Sequence, residues 1–202
     1  MNPMNPRLYD ASVNRQPPCL YMLWPSRLDT VQVPGLPSNY KLRTYRDSDD
    51  RALFELLESD GEAMDHRAWQ EYRDTLLPNG LFVIEDDVGS LVATAGAVHN
   101  PNPGRYYFPF GGELGYLIVT QAHRRRGLGR TVCLAVVQRL LSAGYNSIRL
   151  CVQEHREPAI RNYLSIGFEP FLHSPETVER WKRICEQLGI AFIPETWPTL
   201  NP

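Results

Sequence analysis

The sequence contains no apolar run long enough to cross a membrane. Even a run as long as Val132–Val137 is far shorter than the roughly 20 residues that a transmembrane helix needs. The N-terminus also lacks the apolar segment of a signal peptide. An excess of one charge is missing as well, since 21 Lys and Arg residues are balanced by 23 Asp and Glu residues and the net charge is −2. These absences argue against a membrane partner and against a nucleic-acid partner held by bulk positive charge, and they leave room for one local basic patch.

Cysteine is scarce and irregularly spaced. The four residues, Cys19, Cys133, Cys151 and Cys185, form no CxxC pair and no metal-ligand pattern, so we expect no bound metal. Three of them have apolar neighbours, which predicts buried thiols. With no signal peptide in the sequence, this cysteine usage predicts a reducing, cytoplasmic location.

Proline, by contrast, is abundant, with 17 residues. Seven of them lie in residues 1–39, which we interpret as an extended arm whose strand-like stretch, Cys19–Trp24, could add one edge strand to the main sheet. Three more lie in residues 190–202. A length of 202 residues corresponds to about one domain with additions. We therefore divide the chain into the arm, a central domain at 40–173, and a C-terminal helix with a proline-rich tail at 174–202.

Between the arm and the tail, apolar periodicity changes repeatedly between the repeats of strands and of helices. The pattern predicts strands at 41–45, 81–85, 91–98, 113–120, 147–152 and 168–172. It predicts one helix that begins with a cap at Ser48, one over 65–77, one that ends at Gly144, one over 158–166 and one that begins at Ser174. Because strands and helices interleave, we expect an α/β (or α+β) fold with a single mixed central sheet and helices on both faces.

The most informative segment is a basic, glycine-containing turn between a predicted strand and the strongest predicted helix. It comprises Arg124, Arg125, Arg126, Gly127, Leu128, Gly129 and Arg130. Two glycines one residue apart let the backbone curl so that successive amide groups point at one spot. The first turn of a helix adds unpaired amides and a favourable dipole, so a phosphate or pyrophosphate suits this segment. The alternative is a solvated basic turn whose glycines only start the helix.

A second segment, Ala159–Phe168, follows the next predicted strand and contains Tyr163. Tyr163 lies on an apolar helical stripe with Ile160 and Leu164, which is typical of a half-buried core tyrosine. In a dry cleft the same phenol can donate a proton or a hydrogen bond. The segment alone leaves both roles open.

Together, the two segments resemble the motifs of the GCN5-related N-acetyltransferase (GNAT) superfamily. Arg124–Gly129 matches the acetyl-CoA motif Q/R-x-x-G-x-G/A, and Ala159–Phe168 matches A-x-x-x-Y-x-x-x-G-F. The stretch Val119–Gly129 also resembles V-x-P-x-x-R-x-x-G-x-G, with Gln121 where proline is common. Two motifs at this separation are more specific than either alone. The resemblance implies the family's fold over residues 41–172 and N-acetyltransferase activity with acetyl-CoA as co-substrate.

The resemblance also implies roles for individual residues. The predicted strand at 113–120 would splay away from the strand at 147–152. The backbone groups that this leaves free, at Leu117, Ile118 and Val119, would pair with the pantetheine amides. The amides of Arg124–Arg130 would hold the pyrophosphate, and the Tyr163 hydroxyl would protonate or hydrogen-bond the departing thiolate. The resemblance further implies that the amine would attack the thioester directly in a ternary complex, so that no cysteine nucleophile would be required.

The general base is harder to assign. Glu113 lies eleven residues before Arg124, where the histone-acetyltransferase branch of the family has its glutamate base; the alternative is an exposed glutamate at the start of a strand. Glu85 and His99, at neighbouring strand ends, are further candidates, and a water chain could replace a side chain. Arg156 stands where the family often has an asparagine that contacts the cofactor, which leaves that contact open.

The acceptor is not identified by the sequence. A small amine, a peptide N-terminus and a protein lysine all remain open. The long aromatic loop at 99–112 could line an acceptor pocket, bury a homodimer face or pack against the arm. Two competing functions also remain: a non-catalytic acyl-CoA-binding or regulatory domain, and a transferase that uses a different acyl-CoA donor. A phosphate clamp for nucleic acid at His123–Arg126 is disfavoured by the net charge of −2.

Overall fold

The computed structural model describes residues 19–100 and 111–199. The predicted roles of the arm before residue 19 and of most of the aromatic loop therefore lie outside the described residues. The strands are β1 (Leu20–Trp24), β2 (Tyr40–Thr44), β3 (Leu76–Asp86), β4 (Leu91–His99), β5 (Gly111–Val119), β6 (Ser147–Val152) and β7 (Glu169–Pro170). The helices are α1 (Asp50–Glu58), α2 (His66–Arg73), α3 (Leu128–Ser142), α4 (Glu157–Ile166) and α5 (Pro175–Leu188).

The described strands form one mixed sheet in the order β2-β3-β4-β5-β6-β1-β7. The pairings are antiparallel except between β5 and β6, which run parallel. A parallel pair needs a crossover connection, and α3 supplies it. The predicted fold class, a single mixed sheet with helices, is confirmed.

The helices cover both faces of this sheet. One face packs against α3, α4 and α5 in a core that includes Val136, Ile160 and Trp181. The other face packs against α1 and α2 in a smaller core that includes Leu57 and Trp69. We call these the α3 face and the α1/α2 face. None of the helices in residues 19–100 and 111–199 is long and apolar enough to cross a membrane.

Local capping explains several helix boundaries. The Ser174 side chain accepts a hydrogen bond from the Thr177 amide and begins α5, as predicted. The Asp65 side chain does the same for α2, but this helix ends at Arg73 instead of continuing to 77, because β3 already begins at Leu76. The predicted cap at Ser48 is wrong, since a short 3-10 turn at 47–49 precedes α1.

The arm's strand-like stretch is a strand, but it does not lie at the edge of the sheet. β1 pairs with β6 on one side and with β7 on the other. Its residues Leu20 and Met22 are fully buried in the α3-face core. The long-range pairing is invisible to local periodicity, which is why the sequence suggested only an edge strand.

The cysteine prediction is only partly right. Cys133 and Cys185 are buried free thiols, as expected. Cys19, however, is joined to Cys151 by a disulfide between residues 132 positions apart. The antiparallel pairing of β1 with β6 brings their Cα atoms to 5.8 Å, within the range that a disulfide needs.

Candidate active site

β5 and β6 are paired only at their beginnings. The parallel register contains three pairs and ends at Glu113–Arg149, although β5 continues to Val119. A bulge on β5 follows, where Tyr116 has a positive φ of 47°. The two strands therefore separate, and the later half of β5 has backbone groups that β6 does not use. Leu117, Ile118 and Val119, the residues expected to face a pantetheine chain, all lie in this half.

The end of β5 leads directly to the predicted anion-binding turn. Gly127 is the N-cap of α3 and has a φ of 80°, a conformation that favours glycine. A Cβ built on Gly127 would have no atom within 4 Å, so this side of the turn is open. The amides of Leu128, Gly129 and Arg130 belong to the first helical turn, where no carbonyl of the helix accepts from them. The turn can therefore bind an anion through its backbone.

The arginine side chains of this turn bond to protein oxygens. Arg124 donates from Nε to the Val119 carbonyl (3.0 Å) and from Nη2 to the Asp60 carboxylate (3.0 Å). Arg126 donates to the Ala122 carbonyl, and Arg130 donates to the Ser165 carbonyl on α4 (3.1 Å). These bonds shape the turn, while Arg124, Arg125, Arg126 and Arg130 remain exposed to solvent and contribute positive charge around it.

Tyr163 lies on α4, which packs against the beginning of α3. Only 6% of Tyr163 is exposed, and its ring lies edge-on to Phe168. Burial raises the pKa of Tyr163 well above its usual value; Cys133 adds to this effect, and the guanidinium of Arg156 opposes it. The phenol therefore stays protonated at neutral pH and can act as a hydrogen-bond or proton donor.

Glu113 forms an ion pair with Arg149, whose side chain is fully buried. Its carboxylate accepts a hydrogen bond from the Asn100 amide (3.0 Å) and lies 3.3 Å from Arg149 Nε. Burial raises the pKa of Glu113, although Arg149 and Asn100 act against the rise. Glu113 faces α1 and α2, because its neighbour Gly112 faces the α3 helix and alternate residues of a strand face opposite sides. The alternative of an exposed glutamate at the start of a strand does not hold, since only 17% of the side chain is exposed.

The two predicted catalytic residues thus lie on opposite faces of the sheet. Tyr163 belongs to the α3-face core, whereas Glu113 points to the α1/α2 face. The gap that opens between β5 and β6 after Glu113 connects the two sides. Such an arrangement suits two ligands that meet within the gap. The other candidate bases have partners of their own: Glu85 accepts a hydrogen bond from Arg43, and His99 is hydrogen-bonded to the Tyr145 hydroxyl.

Sequence reasoning missed an acidic bridge across this gap. One oxygen of Asp60 accepts from Arg124, after β5, and the other accepts from Arg156 (2.7 Å), at the start of α4. Arg156 also donates to Glu62 (2.7 Å), so its guanidinium holds the loop after α1. No local pattern marks Asp60, because its partners lie 64 and 96 residues away.

The arrangement fits a long ligand with amides along its chain and an anion at its end. The open edge of β5 offers backbone partners for the amides. The open side of the Gly127 turn offers amides and positive charge for a diphosphate. Acetyl-CoA has both features. No group of three His, Cys, Asp or Glu side chains among the described residues is arranged to hold a metal.

Comparison with known proteins agrees with this geometry. The model of the Acetyltransferase (GNAT) family matches residues 48–168, which is more than half of the chain. The chain therefore belongs to the GNAT acetyltransferase family, a family of acyltransferases, and the resemblance stated above is confirmed. No curated protein sequence matches the chain.

Solved structures share the fold at low sequence identity. The GCN5-related N-acetyltransferase from Sphaerobacter thermophilus is 21% identical, with a TM-score of 0.61, covering 77% of this chain and 49% of that one. The GCN5-related N-acetyltransferase from Kribbella flavida is 19% identical, with a TM-score of 0.53, covering 76% and 55%. The chain thus spans about half the length of these proteins. AAC(6')-Iy, solved with the bisubstrate analogue CoA-S-monomethyl-acetylneamine, is 18% identical, with a TM-score of 0.53, covering 65% and 92%.

Proposed function

We propose that this chain transfers the acetyl group of acetyl-CoA to a primary amine by direct attack in a ternary complex. The observation that carries the proposal is the separation of β5 from β6 after Glu113, followed at once by the open amide turn at Gly127. One structure similar to this chain contains a ligand in which CoA is joined to an acetylated amine. Family membership supports the same class of reaction.

The chain's own groups supply the binding energy for the donor. Backbone groups of Leu117, Ile118 and Val119 would pair with the pantetheine amides, in the way that a peptide adds to a sheet edge. The Val119 carbonyl is the exception, because it already accepts a hydrogen bond from Arg124. The first-turn amides of α3 would bind the pyrophosphate, with positive charge from the neighbouring arginines. When bound, acetyl-CoA supplies a thioester whose carbonyl carbon accepts the amine.

Two side chains would handle the protons. Tyr163, whose raised pKa keeps it protonated, would donate to the departing thiolate. Glu113 would take a proton from the acceptor ammonium, and its raised pKa makes it a better match for that proton than an ordinary carboxylate. Binding and proton transfer would then be divided between the two faces of the sheet.

A thermal-shift titration tests donor binding, with ATP as the control for unspecific phosphate binding. Acetyl-CoA at about 100 times its Kd should add roughly 2.7 kcal/mol to the free energy of unfolding. For a chain of this size, this corresponds to a rise of roughly 5–10 °C in the midpoint. A rise with acetyl-CoA and none with ATP supports the donor. No rise with acetyl-CoA at millimolar concentration contradicts it.

Thiol release then tests catalysis. Glucosamine, spermidine and a lysine-containing peptide represent three classes of primary amine. Amine-dependent release of CoA thiol supports acetyl transfer. If acetyl-CoA binds but none of the three amines causes release of CoA thiol, the result favours the non-catalytic acyl-CoA-binding domain. If a longer acyl-CoA releases CoA thiol and acetyl-CoA does not, the chain is a transferase that uses a different acyl donor.

A further inference from the structure

A buried hydroxyl without a partner lies near Glu113. Tyr72 is on α2, and its hydroxyl oxygen has no hydrogen-bond partner among the described residues. Buried polar groups in folded proteins are nearly always paired, so a buried hydroxyl without a partner indicates strain, function or an absent ligand.

Two facing glycines make the space for this hydroxyl. Gly96 on β4 and Gly115 on β5 are direct partners in the antiparallel register. A Cβ on Gly96 would overlap with the Tyr72 hydroxyl, and a Cβ on Gly115 would lie 3.3 Å from it. Any larger residue at Gly96 would expel the hydroxyl from its place. Because neither glycine has a side chain, the hydroxyl packs directly against the sheet.

This place is next to the gap. Gly115 follows two residues after Glu113, which is the last residue of β5 paired with β6. Burial raises the pKa of Tyr72, and the neighbouring Tyr116 and Glu113 raise it further. The hydroxyl therefore stays neutral, and it can both donate and accept a hydrogen bond.

Tyr116, on the part of β5 that no longer pairs with β6, packs edge-on against Tyr72. Its ring centroid lies 4.7 Å from that of Tyr72, and the ring is only partly buried. Its backbone has a φ of 47°, which is unfavourable for a residue other than glycine. Strained residues of this kind cluster at binding sites and at segments that move. Tyr116 is thus the side chain that an incoming acceptor would displace.

We propose that the Tyr72 hydroxyl binds the acceptor amine beside Glu113 and so positions it for attack. The hydroxyl accepts a hydrogen bond from an N–H of the amine, which leaves the nitrogen lone pair directed at the thioester. This inference rests on the proposed acetyl transfer. The acceptor ammonium loses two protons in all: one passes through Glu113 to solvent, and the other ends on the CoA thiol. The C–N bond forms as the C–S bond breaks, and sulfur keeps the electron pair.

The test variant is Tyr72→Phe, which removes only the hydroxyl. We expect kcat/KM for the amine to fall about tenfold, mainly through KM, as for the loss of one hydrogen bond. Acetyl-CoA affinity should stay within twofold of that of the wild type. The thermal midpoint should rise by about 2–4 °C, because an unpaired buried hydroxyl is removed. The amines are glucosamine, spermidine and a lysine-containing peptide.

Tyr45→Phe is the matched control. Tyr45 packs against Trp69 in the same aromatic cluster, but its hydroxyl donates a hydrogen bond to Asp50. Its loss should lower the midpoint and leave the kinetics unchanged.

Three results would overturn the role of Tyr72. The first is a kcat/KM within twofold of the wild type in Tyr72→Phe. The second is a lowered midpoint in that variant, since the hydroxyl would then already have a partner; this readout needs no activity. The third is a wild-type chain that binds acetyl-CoA and acetylates none of the three amines. Only the third also contradicts the proposed function, so the two failures are distinguishable.

Discussion

Replacing Gly127 by alanine tests the backbone anion site without changing any charged side chain. Gly127 has a φ of 80°, and a Cβ built there meets no atom within 4 Å. The new methyl group therefore causes no clash in the protein. Its effect on stability comes from the left-handed backbone conformation alone, which costs about 1–2 kcal/mol for a residue with a side chain.

Gly144 provides a matched control on the same helix. It has a φ of 86°, and a Cβ there also meets no atom within 4 Å. The two glycines flank α3, whose 15 residues extend about 22 Å. Gly127→Ala and Gly144→Ala should therefore lower the thermal midpoint equally, by about 2–8 °C.

Only Gly127→Ala should weaken the binding of acetyl-CoA. Its methyl group occupies the open side of the turn, where a phosphate must approach the α3 amides. Losing one hydrogen bond to a charged group costs about 1.5–3 kcal/mol, which is about a 10–150-fold increase in Kd. Isothermal titration at one fixed salt concentration measures this. A wild-type Kd in Gly127→Ala would refute the reasoning, and so would an equal loss in Gly144→Ala.

Three further predictions concern other side chains. Tyr163→Phe should lower kcat about 100-fold by removing the proton donor, with the Kd of acetyl-CoA unchanged; stopped-flow kinetics and titration check both, and unchanged turnover excludes the role. Glu113 has a raised pKa, so wild-type kcat/KM should fall as the pH drops through that pKa and the base becomes protonated; Glu113→Gln should lack this limb, and a variant that keeps it argues for another base. Cys19→Ser removes the disulfide to Cys151 and should lower the free energy of unfolding by about 2–4 kcal/mol in urea. Dithiothreitol should bring the wild type to the same value and leave the variant unchanged; a wild type that does not respond to the reductant contradicts the prediction.

Local patterns were sufficient wherever the structure depends on near neighbours along the chain. The strand at Ser147–Val152 has the predicted bounds, because the alternation of Ile148, Leu150 and Val152 reports the face that packs in the α3-face core. The turn at Gly127 and the start of α5 at Ser174 depend on backbone conformation and capping within a few residues. Tyr163 was found in the same way, through helical spacing and a motif that spans ten residues.

Contacts between distant residues were beyond local patterns. β1 appeared to be an edge strand, since its pairing with β6 depends on residues about 130 positions away. The same distance hid the disulfide. The ion pair of Glu113 could not be predicted, because its partner, Arg149, lies on β6, which follows α3 in the chain.

The sequence by itself determined the order of strands and helices, the family and the amide turn, all of which follow from short-range periodicity, backbone freedom and motif spacing. Only the tertiary structure decided how the site is completed. It separated β5 from β6 after Glu113, set Asp60 between Arg124 and Arg156, and placed the Tyr72 hydroxyl between two facing glycines. Each of these features depends on which strands become neighbours, and that choice is made by burial across the whole chain rather than within any one segment.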